Sequence, residues 1–400
     1  MDDSVNTENK GNAMFRMFMP TRVVFGSGVL NDLHKEKMPG KKAMVVISNG
    51  KSGAGFLPRV EGQLRQLGVD TVVFNKVEAA SPRKHTVEEG AAFARENGCD
   101  FVVALGGGSV IDAAKVMAML AANPGDLWDY AMGGTGKGLV GPNRSLPVVS
   151  ITTTAGTGSE VDMVGVVYND DTQEKIGFGR EDMFPVLAIT DPELTLSVPP
   201  LFTAYQGFDA LFHSVENYIA AIGNIMSDTY ALTAIENIAA GLPVAVQDGK
   251  NLEAREKVSF GDTLSGFVMV TAAISSMHGF DTGLCGFYPE LPHGAGLIML
   301  SKAYFSHFIN VHACDDRFVR LAQIMGMPEA KVPEDFITAL EKLHKDCGVA
   351  DLKMSDFGID PSDMLRYVKC ARATMGEVFT FDRVTLSDED CVAIYNAAYK

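Results

Sequence analysis

The chain reads as an α/β protein in two parts: a parallel sheet wrapped by helices over residues 1–198, then an all-helical domain over residues 199–400. Three observations predict this. Short β-branched runs alternate with helix-period stretches such as Thr86 to Asn97; the runs include Ala43-Met44-Val45-Val46-Ile47, Thr71-Val72-Val73-Phe74 and Phe101-Val102-Val103-Ala104-Leu105. After Pro199-Pro200 those runs stop, and long Ala/Leu/Met-rich segments follow at Leu211 to Ile222, Ser227 to Ala240 and Ala254 to Ser276. Paired prolines can continue neither a helix nor a central strand, which sets the boundary there.

Four hundred residues suffice for two domains that each bury a core. The 34 basic against 50 acidic side chains give a formal charge of −16, which disfavours nucleic acid and anionic membrane surfaces as partners. The six cysteines, Cys99, Cys285, Cys314, Cys347, Cys370 and Cys391, form no CxxC pair and read as reduced thiols, mostly core fillers. Met1 to Lys10 is polar and mixed in charge, without the apolar core of a secretory signal, and Met1 to Asn12 is expected to fray. No later stretch stays apolar for about 18 residues. A soluble, cytoplasmic protein is therefore expected.

Along the chain, Asn49-Gly50-Lys51-Ser52-Gly53-Ala54-Gly55 follows a predicted strand; it lacks the spacing of a Walker loop yet is placed to border a nucleotide. The strongest cofactor signal is Gly106-Gly107-Gly108-Ser109-Val110-Ile111-Asp112-Ala113-Ala114-Lys115, directly after the strand Phe101 to Leu105 and opening a helix. Its glycines admit close approach of an anion and the helix start offers unpaired N–H groups, so the segment reads as a pyrophosphate cradle. Gly133-Gly134-Thr135-Gly136-Lys137-Gly138 looks like a phosphate loop, but Gly follows its lysine and no clear strand precedes it, so it reads as surface. Thr152-Thr153-Thr154-Ala155-Gly156-Thr157-Gly158-Ser159-Glu160 supplies hydroxyls and flexible backbone after the strand Pro147 to Ile151, suited to phosphates or an amide-bearing ring.

In the helical part, Asp209 and His213 stand four apart on a predicted helix, so both leave one face. His278 and His293 bracket a Gly-rich apolar stretch and offer two more imidazoles to the same ion. One carboxylate and three neutral imidazoles suit Fe(II) or Zn(II) and leave a coordination position open, as a catalytic site requires. Alone, each of these residues is as readily a solvated or core side chain.

Together with Asp191-Pro192-Glu193-Leu194-Thr195 and Pro292-His293-Gly294, these motifs resemble the iron-containing, or group III, alcohol dehydrogenase family. The resemblance runs from Pro20-Thr21-Arg22-Val23-Val24-Phe25-Gly26 to Val384-Thr385-Leu386-Ser387-Asp388-Glu389-Asp390. It implies a Rossmann-like nucleotide-binding domain and a helical metal-binding domain, the layout shared with dehydroquinate synthase, with a metal in the cleft between them. It further implies Asp209, His213, His278 and His293 as ligands, Fe(II) as the usual metal with Zn(II) in some members, and a homodimer or larger homo-oligomer. By position, Gly107, Gly108, Ser109 and Asp112 belong to the pyrophosphate turn, Thr152, Thr153 and Thr157 line the cofactor, and Lys175 reaches the ribose near the nicotinamide. The implied reaction is hydride transfer between a primary alcohol, or its aldehyde, and NADP or NAD, with Asp162, Phe280 and Tyr288 as candidates to border the substrate.

The sequence departs from the family pattern in three places. Thr282 stands where the family often has a proton-relaying histidine, and a threonine hydroxyl passes a proton but is no base near neutral pH. The interval from His278 to His293 is one residue longer than usual, at Pro289-Glu290-Leu291. Asn49 replaces the Asp that accepts the ribose 2′-hydroxyl in NAD-preferring members; with Gly50, Lys51 and Ser52 behind it, a 2′-phosphate meets no acid, which favours NADP.

A lyase or cyclase like dehydroquinate synthase, using NAD transiently, is the competing enzyme reading. Its anionic substrate calls for basic residues by the ligands, yet Leu201 to Ile222 and Ser275 to Leu300 hold no Lys or Arg, leaving Arg180 as a contact from the other domain. A third reading is a nucleotide- and metal-binding protein without turnover, which rests on Thr282 alone.

Overall fold

The computed structural model describes residues 14–50, 53–78 and 80–400. Met1 to Asn12, Lys51 and Ser52, with the roles expected of them, lie outside the described residues. The strands are β1 (Arg22–Phe25), β2 (Lys42–Ser48), β3 (Asp70–Val77), β4 (Phe101–Gly106), β5 (Val148–Thr152), β6 (Val164–Asn169), β7 (Glu174–Gly179) and β8 (Leu187–Thr190). Six of them form one sheet in the order β1-β8-β5-β4-β2-β3, every neighbouring pair parallel.

Strand alternation builds the two faces of this sheet. Met44, Val46, Val102 and Ala104 pack toward helices α2 (Lys84–Glu96) and α3 (Gly108–Ala122). Val45, Ile47, Val103 and Leu105 face the other way, onto Val60 and Leu64 of α1 (Leu57–Gln66). Because β2 pairs with β3 on one side and β4 on the other, the sheet reverses its strand order between β2 and β4. In open α/β sheets the crevice at the carboxyl ends of such strands takes ligands. Both the Asn49-Gly50 and the Gly107-Gly108 turns leave the sheet there.

β6 and β7 form a separate antiparallel hairpin that the sequence reading did not separate from the sheet. Lys115 of α3 fixes it: its fully buried ammonium donates to Asp162 Oδ1 at 2.7 Å and to Val164 O at 2.6 Å. Asp112 of α3 acts likewise, accepting from Val166 N at 3.0 Å and Ser159 Oγ at 2.5 Å.

From Pro200 onward the chain is helical: α4 (Pro200–Ile219), α5 (Ile225–Gln247), α6 (Leu252–Ala272), α7 (Ser276–Cys285), α8 (His293–Asn310), α9 (Asp315–Ile324), α10 (Glu334–Asp346), α11 (Met364–Met375) and α12 (Asp388–Ala398). Pro199 and Pro200 are the N-cap and first residue of α4, positions that need no backbone N–H. By composition α5 is long and apolar enough to cross a membrane, with a mean hydropathy of 1.2 over its best window, contrary to the expectation that no such stretch exists. In this fold it packs against α4 and α6, burying Ala231, Ile235, Ile238 and Leu242.

The Ala/Leu/Met-rich segment Ala254 to Ser276 is helical, as α6, only to Ala272; the chain then breaks, and α7 departs from α6 at 105°. The break lies at Ala273, whose φ of 73° and ψ of 178° fall in a region that only glycine adopts freely, and Asn217 Nδ2 donates to its carbonyl at 2.5 Å. That bend turns α7 back toward α4 and brings His278 to Asp209. A strained alanine costs on the order of 1–3 kcal/mol, more than the added chain entropy of glycine at about 0.5–1 kcal/mol. Ala273→Gly is therefore expected to stabilise the fold by about 1 kcal/mol in urea denaturation; a loss of stability would show that the backbone there is not strained.

Candidate metal and nucleotide site

Asp209, His213 and Glu216 recur at i, i+4 and i+7 on α4 and so share one face. α7 presents His278 and, one turn on, Asp281, while His293 opens α8 behind Pro292. The three elements converge. Asp209 Oδ1 lies 3.7 Å from His213 Nδ1, 3.3 Å from His278 Nε2 and 3.5 Å from His293 Nε2. The His213 and His278 rings stack with centroids 4.3 Å apart. The extra residue before His293 is taken up in the turn between α7 and α8 without removing the imidazole from the cluster.

Behind the imidazoles stand two carboxylates that the sequence reading missed. His278 Nδ1 donates to Glu216, and His293 Nδ1 donates to Asp281, each in a very short contact. Both acids are fully buried. The signal for them was present, since each sits one helical turn after a candidate ligand, His213 or His278. Their effect is to fix each ring with Nε2 toward Asp209, the arrangement that metal-ligating histidines adopt.

The electrostatics follow from burial and these partners. Burial opposes ionisation of Asp209, but His213, His293 and His278 outweigh it and hold the carboxyl at about 2. Burial pushes the His213 imidazole down to about 3, leaving it neutral, and its Nδ1 has no hydrogen-bond partner. Burial also opposes charge on His278, yet Glu216 and Asp209 raise it to about 10. Lys175, on β7, is held above the usual lysine range against its burial by Cys285, Asp281 and Asp209. Three carboxylates stand against the Lys175 ammonium and the charged His278, so a divalent cation that displaces the His278 proton balances the cluster. An orphaned ring nitrogen and that charge balance fit a divalent cation bound by one carboxylate and three imidazoles.

The Gly-rich turn and the Thr-rich loop meet beside this cluster. Thr153 N donates to Gly106 O at 2.9 Å, and a Cβ on Gly107 or Gly108 would meet Thr154 Oγ1 at 2.7 Å or Thr157 Cγ2 at 2.4 Å. Only glycine permits this contact, which lets the Thr-rich loop pack directly against the start of α3. The backbone of Gly156, in the same loop, favours charge on the His213 imidazole, which places the Thr-rich loop beside the cluster.

Residues 20–192 match the iron-containing alcohol dehydrogenase family and residues 203–399 match its C-terminal domain. The chain belongs to the iron-containing alcohol dehydrogenase family. It is 31% identical to the 1,3-propanediol dehydrogenase of Klebsiella pneumoniae over 96% of this chain and 99% of that one. It is 30% identical to the NAD-dependent methanol dehydrogenase of Bacillus methanolicus over 88% of this chain and 91% of that one. A halo-thermophilic archaeal alcohol dehydrogenase from a Red Sea brine pool superposes with a TM-score of 0.89 at 31% identity, covering 97% of this chain and 99% of that one. As a member of this family the chain is an alcohol–aldehyde oxidoreductase with the family's two-domain fold.

Several expected site residues are engaged elsewhere. Asp112 has both carboxylate oxygens bonded to Ser159 and Val166 and faces the β6–β7 hairpin rather than the pyrophosphate turn. Asp162 is the buried partner of Lys115, and Phe280 packs in the core against Tyr304, Phe379 and Tyr395. Thr282 Oγ1 donates to Met375 Sδ at 3.1 Å instead of reaching the imidazoles. Tyr288 bonds Tyr367 at 2.9 Å, and Arg180 pairs with Asp182 at the far end of β7. Asn49 is exposed, with its N–H on Val77 O, at the carboxyl end of β2.

The Thr-rich loop is pinned to the helical half by a buried acid pair. Gly158 N donates to Asp262 Oδ1 at 2.8 Å, and Thr263 Oγ1 donates to Glu160 Oε1 at 2.9 Å. Gly158, at φ +61°, lies backbone-on-backbone against Gly266, where a Cβ would come within 2.6 Å. Burial pushes Asp262 well above the usual carboxylate range, and Glu160 beside it pushes further. A carboxyl raised in the fold resists ionisation, so its cost to stability grows as pH rises above the unfolded value. Asp262→Asn keeps the acceptor for Gly158 and removes that cost. It is expected to raise Tm by on the order of 2 °C or more at pH 8 and by less at pH 5; a gain that shrinks with rising pH would contradict the buried-acid account.

Proposed function

We propose that the protein interconverts a primary alcohol and its aldehyde with NADP, using Fe(II), or Zn(II) in its place, held by Asp209, His213, His278 and His293. The observation that carries this reading is the convergence of one carboxylate and three imidazoles beside the turn where β4 enters α3. When bound, the metal supplies Lewis acidity to the alcohol or carbonyl oxygen. The protein's residues do the rest. Glu216 and Asp281 orient two imidazoles, burial keeps His213 neutral for ligation, and His293, with 27% of its side chain exposed, marks the open side of the site. Gly107, Gly108 and Ser109 receive the pyrophosphate at the start of α3, Thr152, Thr153 and Thr157 line the cofactor, and Lys175 brings an ammonium to its ribose. With its hydroxyl on Met375, Thr282 stands aside from proton transfer.

The absence of Lys and Arg from α7 and from the turn that follows it favours a neutral alcohol over the anionic substrate of a lyase. On the same footing we assign residues 1–198 and 199–400 to the two domains, and expect a cytoplasmic homodimer or larger homo-oligomer.

Two experiments test this reading. Chelation should abolish aldehyde reduction and Fe(II) should restore it, while Asp281→Asn and Glu216→Gln should each lower metal affinity by about 10–100-fold in a competition titration; unchanged affinity would reduce both acids to packing. NADPH should be preferred to NADH, and Asn49→Asp should lower kcat/KM for NADPH by about tenfold or more through repulsion of the 2′-phosphate. Equal or better use of NADH by the unaltered protein would refute the cofactor assignment.

A further inference from the structure

The helix that carries His278 and Asp281 is capped from outside itself. Ser275 is the N-cap residue of α7, but its side chain makes no cap hydrogen bond; the hydroxyl donates instead to Glu216 Oε2 at 3.3 Å. Two acids from elsewhere in the chain take over. Glu216 Oε2 also accepts from His278 N at 3.5 Å, and Asp382 Oδ1 accepts from Ser276 N at 3.3 Å. Carboxylates in that position satisfy orphan N–H groups and offset the positive end of the helix dipole.

Tyr304, on α8, joins the two acids. Its hydroxyl donates to Asp382 Oδ1 at 3.1 Å and lies 3.2 Å from Ser275 Oγ and 3.0 Å from Ser276 Oγ. A phenol has one proton, so with that proton on Asp382 the oxygen is left to accept from Ser276. Asp382 is itself held in place. Ala221 N donates to Phe381 O at 2.8 Å and Arg383 Nε to Ile219 O at 2.8 Å, which docks residues 381–383 on the end of α4. Polar contacts thus run without a break from Asp382 through Tyr304, Ser275 and Glu216 to the His278 ring. Glu216, Ser275, Ser276 and Tyr304 are each at most 1% exposed. A buried polar network of this kind costs desolvation and in return fixes one geometry.

We propose that Tyr304 and Asp382 are positioning residues of the metal centre, acting through Ser275 and Glu216 on the His278 imidazole. The inference rests on the metal reading above. Glu216 orients the ring only if its own carboxylate is fixed, and its Oε2 is held by the start of α7. Tyr304 and Asp382 set where that start lies. Because α8 opens at His293, the contact from Tyr304 also ties the third helix of the cluster to the other two.

The test is a chelator-competition titration with Co(II), whose visible bands report ligand geometry, on the full-length protein and on Tyr304→Phe, Asp382→Ala and Glu216→Gln. Tyr304→Phe keeps the ring and removes the hydroxyl alone; Asp382→Ala, on a half-buried residue, is the second variant should the first fail to fold. Each is expected to weaken Co(II) by about tenfold, the lower end of what loss of a partner behind a ligand costs, and to shift the Co(II) bands. Asp382→Asn, which keeps an acceptor for Tyr304 and Ser276, should recover most of the loss. In Tyr304→Phe/Glu216→Gln the two losses should fall well short of multiplying, since both act on one ring. Two results would overturn the proposal: affinity and bands unchanged in both single variants, or losses that multiply in full, which would make Tyr304 a packing residue independent of Glu216. Unaltered protein that takes up no Co(II) would refute the metal reading itself and this proposal with it.

Discussion

The hydrogen bonds from His278 to Glu216 and from His293 to Asp281 are the constraint on which the rest of the site depends. Three imidazoles around one carboxylate form no defined donor set unless each ring is fixed in rotation and tautomer. Two fully buried acids do this from behind, and the charge they bring is tolerable in a helical core only beside compensating cations. α7 must then face α4, which is why the chain bends at Ala273 despite the strain there.

The nucleotide half is coupled to that core through one loop. Residues 152–160 pack over the Gly107-Gly108 turn on one side and against α6 on the other, with the Gly156 backbone acting on the His213 ring between them. Contact between Gly158 and Gly266 is made by backbone atoms, so the distance between the Thr-rich loop and α6 does not depend on any side-chain rotamer. Lys115 and Asp112 serve the same end from α3, where they hold the β6–β7 hairpin that carries Lys175.

Much of this was legible in the sequence because it follows local periodicity. Strand runs such as Phe101 to Leu105, the glycine turn after them, and the i, i+4 spacing of Asp209 and His213 each specify a local geometry. The candidate residues Asp209, His213, His278 and His293, dispersed over α4, α7 and α8, lie side by side in the fold. What was not legible depends on where the chain bends and what a side chain meets afterwards. Ala254 to Ser276 carries no proline or glycine signal at Ala273, so the break comes from tertiary packing through Asn217. Asp112, Asp162 and Phe280 look functional by motif or proximity, yet partners distant in sequence claim them: Ser159 and Val166, Lys115, and the Tyr304–Phe379–Tyr395 cluster. Thr282 was seen to depart from the pattern, but only the position of Met375 reveals where its hydroxyl goes.

The order of the elements along the chain also bears on how the protein matures. The six-stranded sheet is complete at Thr190, before Asp209 appears in the sequence, and His293 follows a further 84 residues on. Domains fold as units during synthesis, the N-terminal one first. The Gly107-Gly108 turn can therefore form on the ribosome while Asp209 still lacks its neighbouring imidazoles. The cluster of Asp209 with three imidazoles is thus a late, post-assembly feature, and a nascent chain stalled before α8 would present a finished six-stranded sheet with that cluster still incomplete.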